Sequence, residues 1–176
     1  MSFRITNFFI SSSAQNPAGL QELGSTTLGS AANTISVSGL PAREYLKIVV
    51  HIPDKAASDE IALRFNSDST AAHYGWTVVD DAGNRVVDNS DTEIHLMDAA
   101  NAGGHQTTIE VFNTTDWKRT ISMTNYAGII GASEPQWAQG GGLWNQSDVV
   151  DEVTIFTISG NNMNAGTKVT VFGAVS

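Results

Sequence analysis

The 176-residue sequence predicts an all-β fold: an antiparallel β-sandwich, jelly-roll-like, with a long N-terminal loop or arm. Three observations predict it. Ser, Thr and Asn together supply 47 of the 176 residues, a composition that suits solvated strand faces and turns and makes helices poorly. Short segments alternate apolar with polar residues and are bounded by Gly, Asn, Asp and Pro. No segment sustains a helical period, and strands do not alternate with helices as an α/β chain requires. The length fits a single domain over residues 1–176 that buries its own core.

Taken in order, Phe3–Ile10 reads as a strand with a bulge or a change of sheet near Asn7, because Phe3 and Ile5 fall on one face and Phe8 and Ile10 on the other. Residues 11–33 carry few large apolar side chains and read as an extended arm or loop. Tyr45–Ile52 is the clearest strand, with Leu46, Ile48, Val50 and Ile52 on one face, and Pro53-Asp54 ends it. Ile61–Phe65 alternates again, Asn66–Ser69 turns, and His73–Val79 is a strand around Trp76. Asp80–Asn84 is a turn, Arg85–Val87 a short return and Ile94–Met97 a strand. Thr107–Phe112 and Lys118–Tyr126 form a hairpin, the second strand turning Ile121 and Met123 inward. Gln136–Trp144 reads as a Gly-rich loop, and Val153–Ser159 with Lys168–Phe172 as a terminal hairpin. Pro53–Ala62 and Thr92–Ala100 are the only windows with a helix-like pattern, a turn or two each.

Composition removes several functions. With no cysteine, there are no disulfides, Cys-ligated zinc, iron–sulfur clusters or thiol nucleophiles. Nine Lys+Arg against 18 Asp+Glu leave a net charge of −9, and Lys118-Arg119 makes no patch, so neither nucleic acid nor an anionic membrane is an expected partner. The opening residues lack the apolar core and cleavage site of a secretory signal. No Gly-x-Ser-x-Gly elbow or phosphate loop is present, so no catalytic residue is named and the chain reads as a non-enzyme.

Particular phrases carry a resemblance. Leu40–Ile48, Ile61–Asp68 (Ile-Ala-Leu-Arg-Phe-Asn-Ser-Asp), Val153–Ile158 and the ending Asn164–Gly173 resemble β-rich structural proteins of tailed-phage virions. The resemblance spans roughly residues 40–173 and rests on structural motifs. It implies a virion localisation and a role as a capsid decoration (cement) protein or a minor tail protein. The implied partners are the major capsid protein or other virion proteins and further copies of the chain, as a homotrimer. It brings no catalytic residues.

Candidate sites are few. His51, His73, His95 and His105 lack metal-ligand spacing, and the acidic pairs around Asp80-Asp81, Asp88/Asp91 and Asp148/Asp151-Glu152 lack the EF-hand pattern, so no metal and no cofactor is expected. Trp137 and Trp144 flank Gly140–Gly142, and with Tyr126 they make a candidate interface or ligand-stacking platform. The same tryptophans would equally cap the open end of a sandwich. A carbohydrate- or receptor-binding module is therefore the alternative function, with those aromatics exposed on one surface.

Overall fold

Alternation of buried and exposed residues marks the clearest strands. The computed structural model describes residues 19–97, 103–113, 119–127 and 136–174, and these form twelve strands in two sheets. They are β1 (Leu20–Thr27), β2 (Thr34–Ser38), β3 (Tyr45–Ile52), β4 (Ile61–Phe65), β5 (Tyr74–Asp80) and β6 (Arg85–Asp91). Then follow β7 (Ile94–Met97), β8 (His105–Phe112), β9 (Arg119–Ala127), β10 (Gln136–Trp144), β11 (Glu152–Thr157) and β12 (Lys168–Ala174). In β3, Leu46, Ile48, Val50 and Ile52 are fully buried while Tyr45, Lys47, Val49 and His51 are not. Each such side chain contributes roughly 1.5–3 kcal/mol by leaving water.

The larger sheet runs β1-β12-β3-β8-β9-β10-β5-β6 and the smaller β2-β11-β4-β7, with every ladder antiparallel. The pairings are nested: β5 with β6, β4 with β7, β3 with β8, β2 with β11, and β1 with β12. One long hairpin with its tip between β5 and β6 has thus been rolled up, its successive pairs falling in alternate sheets. Rolling adds the β4–β11 and β5–β10 contacts, with β8–β9–β10 as a meander where a simpler jelly roll has one strand. The core lies between the sheets, with Ile109, Val111, Val169 and Val171 on one side against Ile61, Leu63, Val153 and Ile155 on the other.

The all-β sandwich is as the composition requires, and β3 and β4 have the expected boundaries. Four local expectations are corrected. Within the expected arm at 11–33, residues 20–27 form edge strand β1, whose mostly exposed side chains hide it from a hydrophobicity reading. The Gly-rich segment 136–144 is strand β10 rather than a loop. β11 and β12 do not pair as a hairpin: they lie in different sheets, each finding partners far away in sequence. Among the described residues neither helix-like window contains a helix, and the second holds β7. The strand expected at residues 3–10, and residues 11–18 of the expected arm, lie outside the described residues.

Gly140 shows why a Gly run can be a strand. A Cβ there would lie 2.4 Å from the Thr77 carbonyl oxygen and 2.9 Å from Met123 Cε. The missing side chain lets β5, β9 and β10 pack at a spacing that no other residue allows.

Candidate functional site

Parity along the strands decides which side chains leave the core. In β10, Ala138 and Trp144 are buried while Trp137 and Gln139 are exposed, so odd-numbered residues face outward. The register extends that face across the sheet: Val87 pairs with Thr77, Thr77 with Gly141, Gly141 with Ser122, Ser122 with Glu110, and Glu110 with Lys47. The outer face is mostly short and polar. Its most exposed large apolar members among the described residues are Phe112, Trp137 and Val87, at 55%, 42% and 42%. Phe112 rests edge-on against Tyr45 at 5.9 Å. An open groove of roughly 440 Å³ runs past Gly75 and Gly141, flanked by His73, Arg85, Asn89 and Asn145.

The predicted aromatic platform does not assemble as one surface. Trp137 is exposed on the outer face, but Trp144, at the other end of β10, points inward and is 1% exposed. Its ring stacks on Tyr74 at 6.3 Å and lies 5.5 Å from Phe65. Trp144 therefore caps the core, and the ligand-stacking role is corrected for it. Tyr126 is the register partner of Trp137 across β9 and β10, and its side chain lies outside the described residues.

Trp144 also organises an electrostatic cluster. Its Nε1 donates to Asp68 Oδ2 at 2.8 Å, His73 Nδ1 approaches the same oxygen at 2.8 Å, and the Thr70 amide donates to Oδ1 at 3.0 Å. Burial alone raises the Asp68 carboxyl, but the hydrogen bonds from Trp144, His73 and Thr70 outweigh it and hold the group at about 2. The cluster ties the β4–β5 connection to the end of β10.

The other histidines occupy separate environments. His51 is exposed on β3. His105 is buried with Nε2 2.6 Å from Thr107 Oγ1, a hydroxyl–imidazole pair at a catalytic distance. Thr107 is fully buried and His105 only 3% exposed, so no substrate reaches the pair. Burial, with the Lys55 ammonium as a second cause, pushes the imidazole down to about 3 and keeps it neutral.

His95 lies in a different constellation. Its ring stacks on Trp76 at 4.3 Å and 11°, and Nδ1 is 2.8 Å from Glu60 Oε2. Trp76 Nε1 donates to Asp91 Oδ2 at 2.9 Å, and Arg64 Nη2 donates to Glu93 Oε2 at 2.6 Å. Asp91, Glu93 and His95 each offer a donor atom within 4.8 Å of the others, the one such group of three among the described residues. Comparing histidines only with histidines misses it. The chain bends at Thr92 and Glu93 between β6 and β7, and this turn, rather than an extended run, folds Asp91, Glu93 and His95 onto one another. The acidic stretch at Asp80 is a turn as expected, with the Asn84 amide on Asp80 Oδ1 at 2.7 Å and Gly83 at φ 81°.

Fold and sites together define a rolled β-sandwich with one broad polar outer face and a compact carboxylate–imidazole cluster where β7 meets β5. No family profile, curated protein or solved structure matches the chain.

Proposed function

We propose that this chain is a non-enzymatic structural protein of a tailed-phage virion, a decoration protein that seats as a trimer on the outside of an icosahedral capsid. The observation that carries the reading is the apolar surface left in water at one margin of the large sheet. Edge strand β6 is exposed almost throughout, with Val86 and Val87 each 42% accessible, and among the described residues one side of its backbone has no partner strand. Trp137 and Phe112 add large apolar groups on the adjoining outer face. Such groups at a sheet edge and face suit burial against neighbouring subunits. The net charge of −9 favours docking on a basic shell surface. The phrases that carry the phage resemblance fall largely in β3, β4, β11 and β12, the strands that hold the sheets together, so they support the scaffold rather than a particular partner.

The test is cosedimentation of the purified chain with empty expanded capsids of its own phage, alongside light scattering of the chain alone. Saturable binding that raises the capsid melting temperature supports the reading. Absence from capsids with recovery in isolated tails would shift it to a minor tail protein.

A second reading rests on Trp137, which shares the outer face with the groove beside Gly75 and Gly141. An exposed indole suits stacking on a sugar ring, the behaviour of a receptor-binding module. Glycan-array binding that disappears in Trp137→Ala would favour it.

A further inference from the structure

We propose that Asp91, Glu93 and His95 bind a divalent transition-metal ion of the zinc type, which clamps β7 of the small sheet to the β5–β6 margin of the large one. Four features of the cluster converge on this. The three donor atoms lie within 4.8 Å of one another, so they need to close by at most about 1.5 Å to reach the separation of ligands around one tetrahedral ion.

The imidazole is oriented for ligation. Glu60 Oε2 accepts at Nδ1 over 2.8 Å, and stacking on Trp76 fixes the ring plane. A neutral imidazole donating to Glu60 turns the Nε2 lone pair outward, where it meets Asp91 Oδ2 at 3.6 Å. Two acceptors thus face each other at more than hydrogen-bond distance, an arrangement that a cation between them resolves. A carboxylate behind a ligating histidine is the usual outer support of such sites.

The carboxylates are held in the same way. Asp91 accepts from Trp76 Nε1, and Glu93 accepts from Arg64 and from the Thr92 hydroxyl. Charge is the fourth feature. Glu60, Asp88 and Asp91 line a cavity of roughly 270 Å³ together with His95, and Glu93 adjoins it. Against these four carboxylates, Arg64 is the cation paired with Glu93. Asp88 is exposed and the Glu60 side chain 38% exposed, but the Asp91, Glu93 and His95 side chains are only 19%, 12% and 19% exposed, so screening is weakest at the three ligands themselves. A nitrogen donor among oxygens selects a first-row transition ion over calcium or magnesium.

The experiment titrates chelator-treated, dialysed full-length protein with zinc, manganese and calcium chlorides, reading heat and melting temperature. One equivalent of zinc is expected to bind and raise the melting temperature, manganese more weakly, with calcium inert. His95→Gln and Asp91→Asn should lose at least about tenfold in zinc affinity, and Glu60→Gln about tenfold through loss of the supporting bond. Asp80→Asn, in an exposed turn, should bind zinc as the parent does. If Asp91→Asn fails to fold, Glu60→Gln carries the comparison, since its residue supports the ring and lies outside the ligand set. An imidazolium bridging Glu60 and Asp91 would explain the geometry without metal. In that case the parent shows no saturable heat and no zinc-dependent melting shift, and the proposal fails. Zinc affinity unchanged in His95→Gln, or a shift with calcium equal to that with zinc, overturns it as well.

Discussion

The Asp68 carboxylate takes two hydrogen bonds on one oxygen and one on the other, and it is the partner through which the buried Trp144 indole satisfies its N–H. Removing it in Asp68→Ala leaves that donor in the core unpaired, at a cost of about 1–3 kcal/mol by urea unfolding at pH 7. The folded carboxyl titrates at about 2 against 3.8 when free, so the unfolded chain binds more protons between those values. The stabilisation is complete above pH 3.8 and disappears as pH falls through 2. Asp68→Asn removes that segment of the acid transition. His105 acts in a higher window. Its folded imidazole is held at about 3 against 6.5 when free, so again the unfolded state takes up the proton first and stability falls as pH drops from 6.5 toward 3. His105→Gln should flatten the stability curve between pH 6.5 and 5 by about 1–2 kcal/mol, measured as unfolding midpoints across buffers. An unchanged slope would mean that the imidazole is solvated in the folded protein.

Strands differ in how plainly they show in sequence, and the reason is where their partners lie. β3 alternates cleanly because one face meets the core, so period two alone locates it, and β4 shows through large apolar residues at Ile61, Leu63 and Phe65 although Ala62 is buried as well. Among the described residues β1 pairs only with β12, at the sheet margin, and it buries little, so its composition is that of a loop. β10 is hidden for the opposite reason: neighbours approach so closely that glycine replaces the side chains on which a strand pattern depends. Gly140→Ala should therefore destabilise the protein by about 1–3 kcal/mol as β5 or Met123 is displaced. Gly29→Ala, with nothing within 4 Å of the added methyl, should leave the melting temperature nearly unchanged. Equal effects of the two would show that β10 is not clamped between its neighbours. The candidate sites follow the same logic. Trp137 and Trp144 look alike in sequence, and only the parity of β10 sends one to solvent and the other to the core. The His95 group depends on Glu60, Arg64 and Trp76, which no local spacing connects to it.

The nested pairing makes the fold depend on distant partners throughout: the Ser36 and Thr154 hydroxyls, 118 residues apart, bond at 2.9 Å between β2 and β11. Such a topology closes large loops before its contacts reward it, which predicts folding in milliseconds to seconds, readable by stopped-flow fluorescence. Rolling also fixes what faces outward. The hairpin tip becomes the β5–β6 margin, where β5 is the only neighbour of β6 among the described residues. The bulge between Tyr74 and Trp76 and the charges of Arg85, Asp88 and Asp91 limit indiscriminate strand addition at that edge, while Val86 and Val87 remain open to a specific partner. If this margin is an assembly surface, Val87→Lys should change folding stability by less than about 0.5 kcal/mol, because the side chain is already in water. The same substitution should reduce the solution mass toward the monomer and weaken capsid binding, because a charge would have to be buried at the contact. Light scattering of parent and variant over a range of concentrations makes the comparison. A parent that is monomeric throughout removes the self-association claim. A trimer indifferent to Val87→Lys moves the interface to the opposite edge, where β1 exposes Leu20.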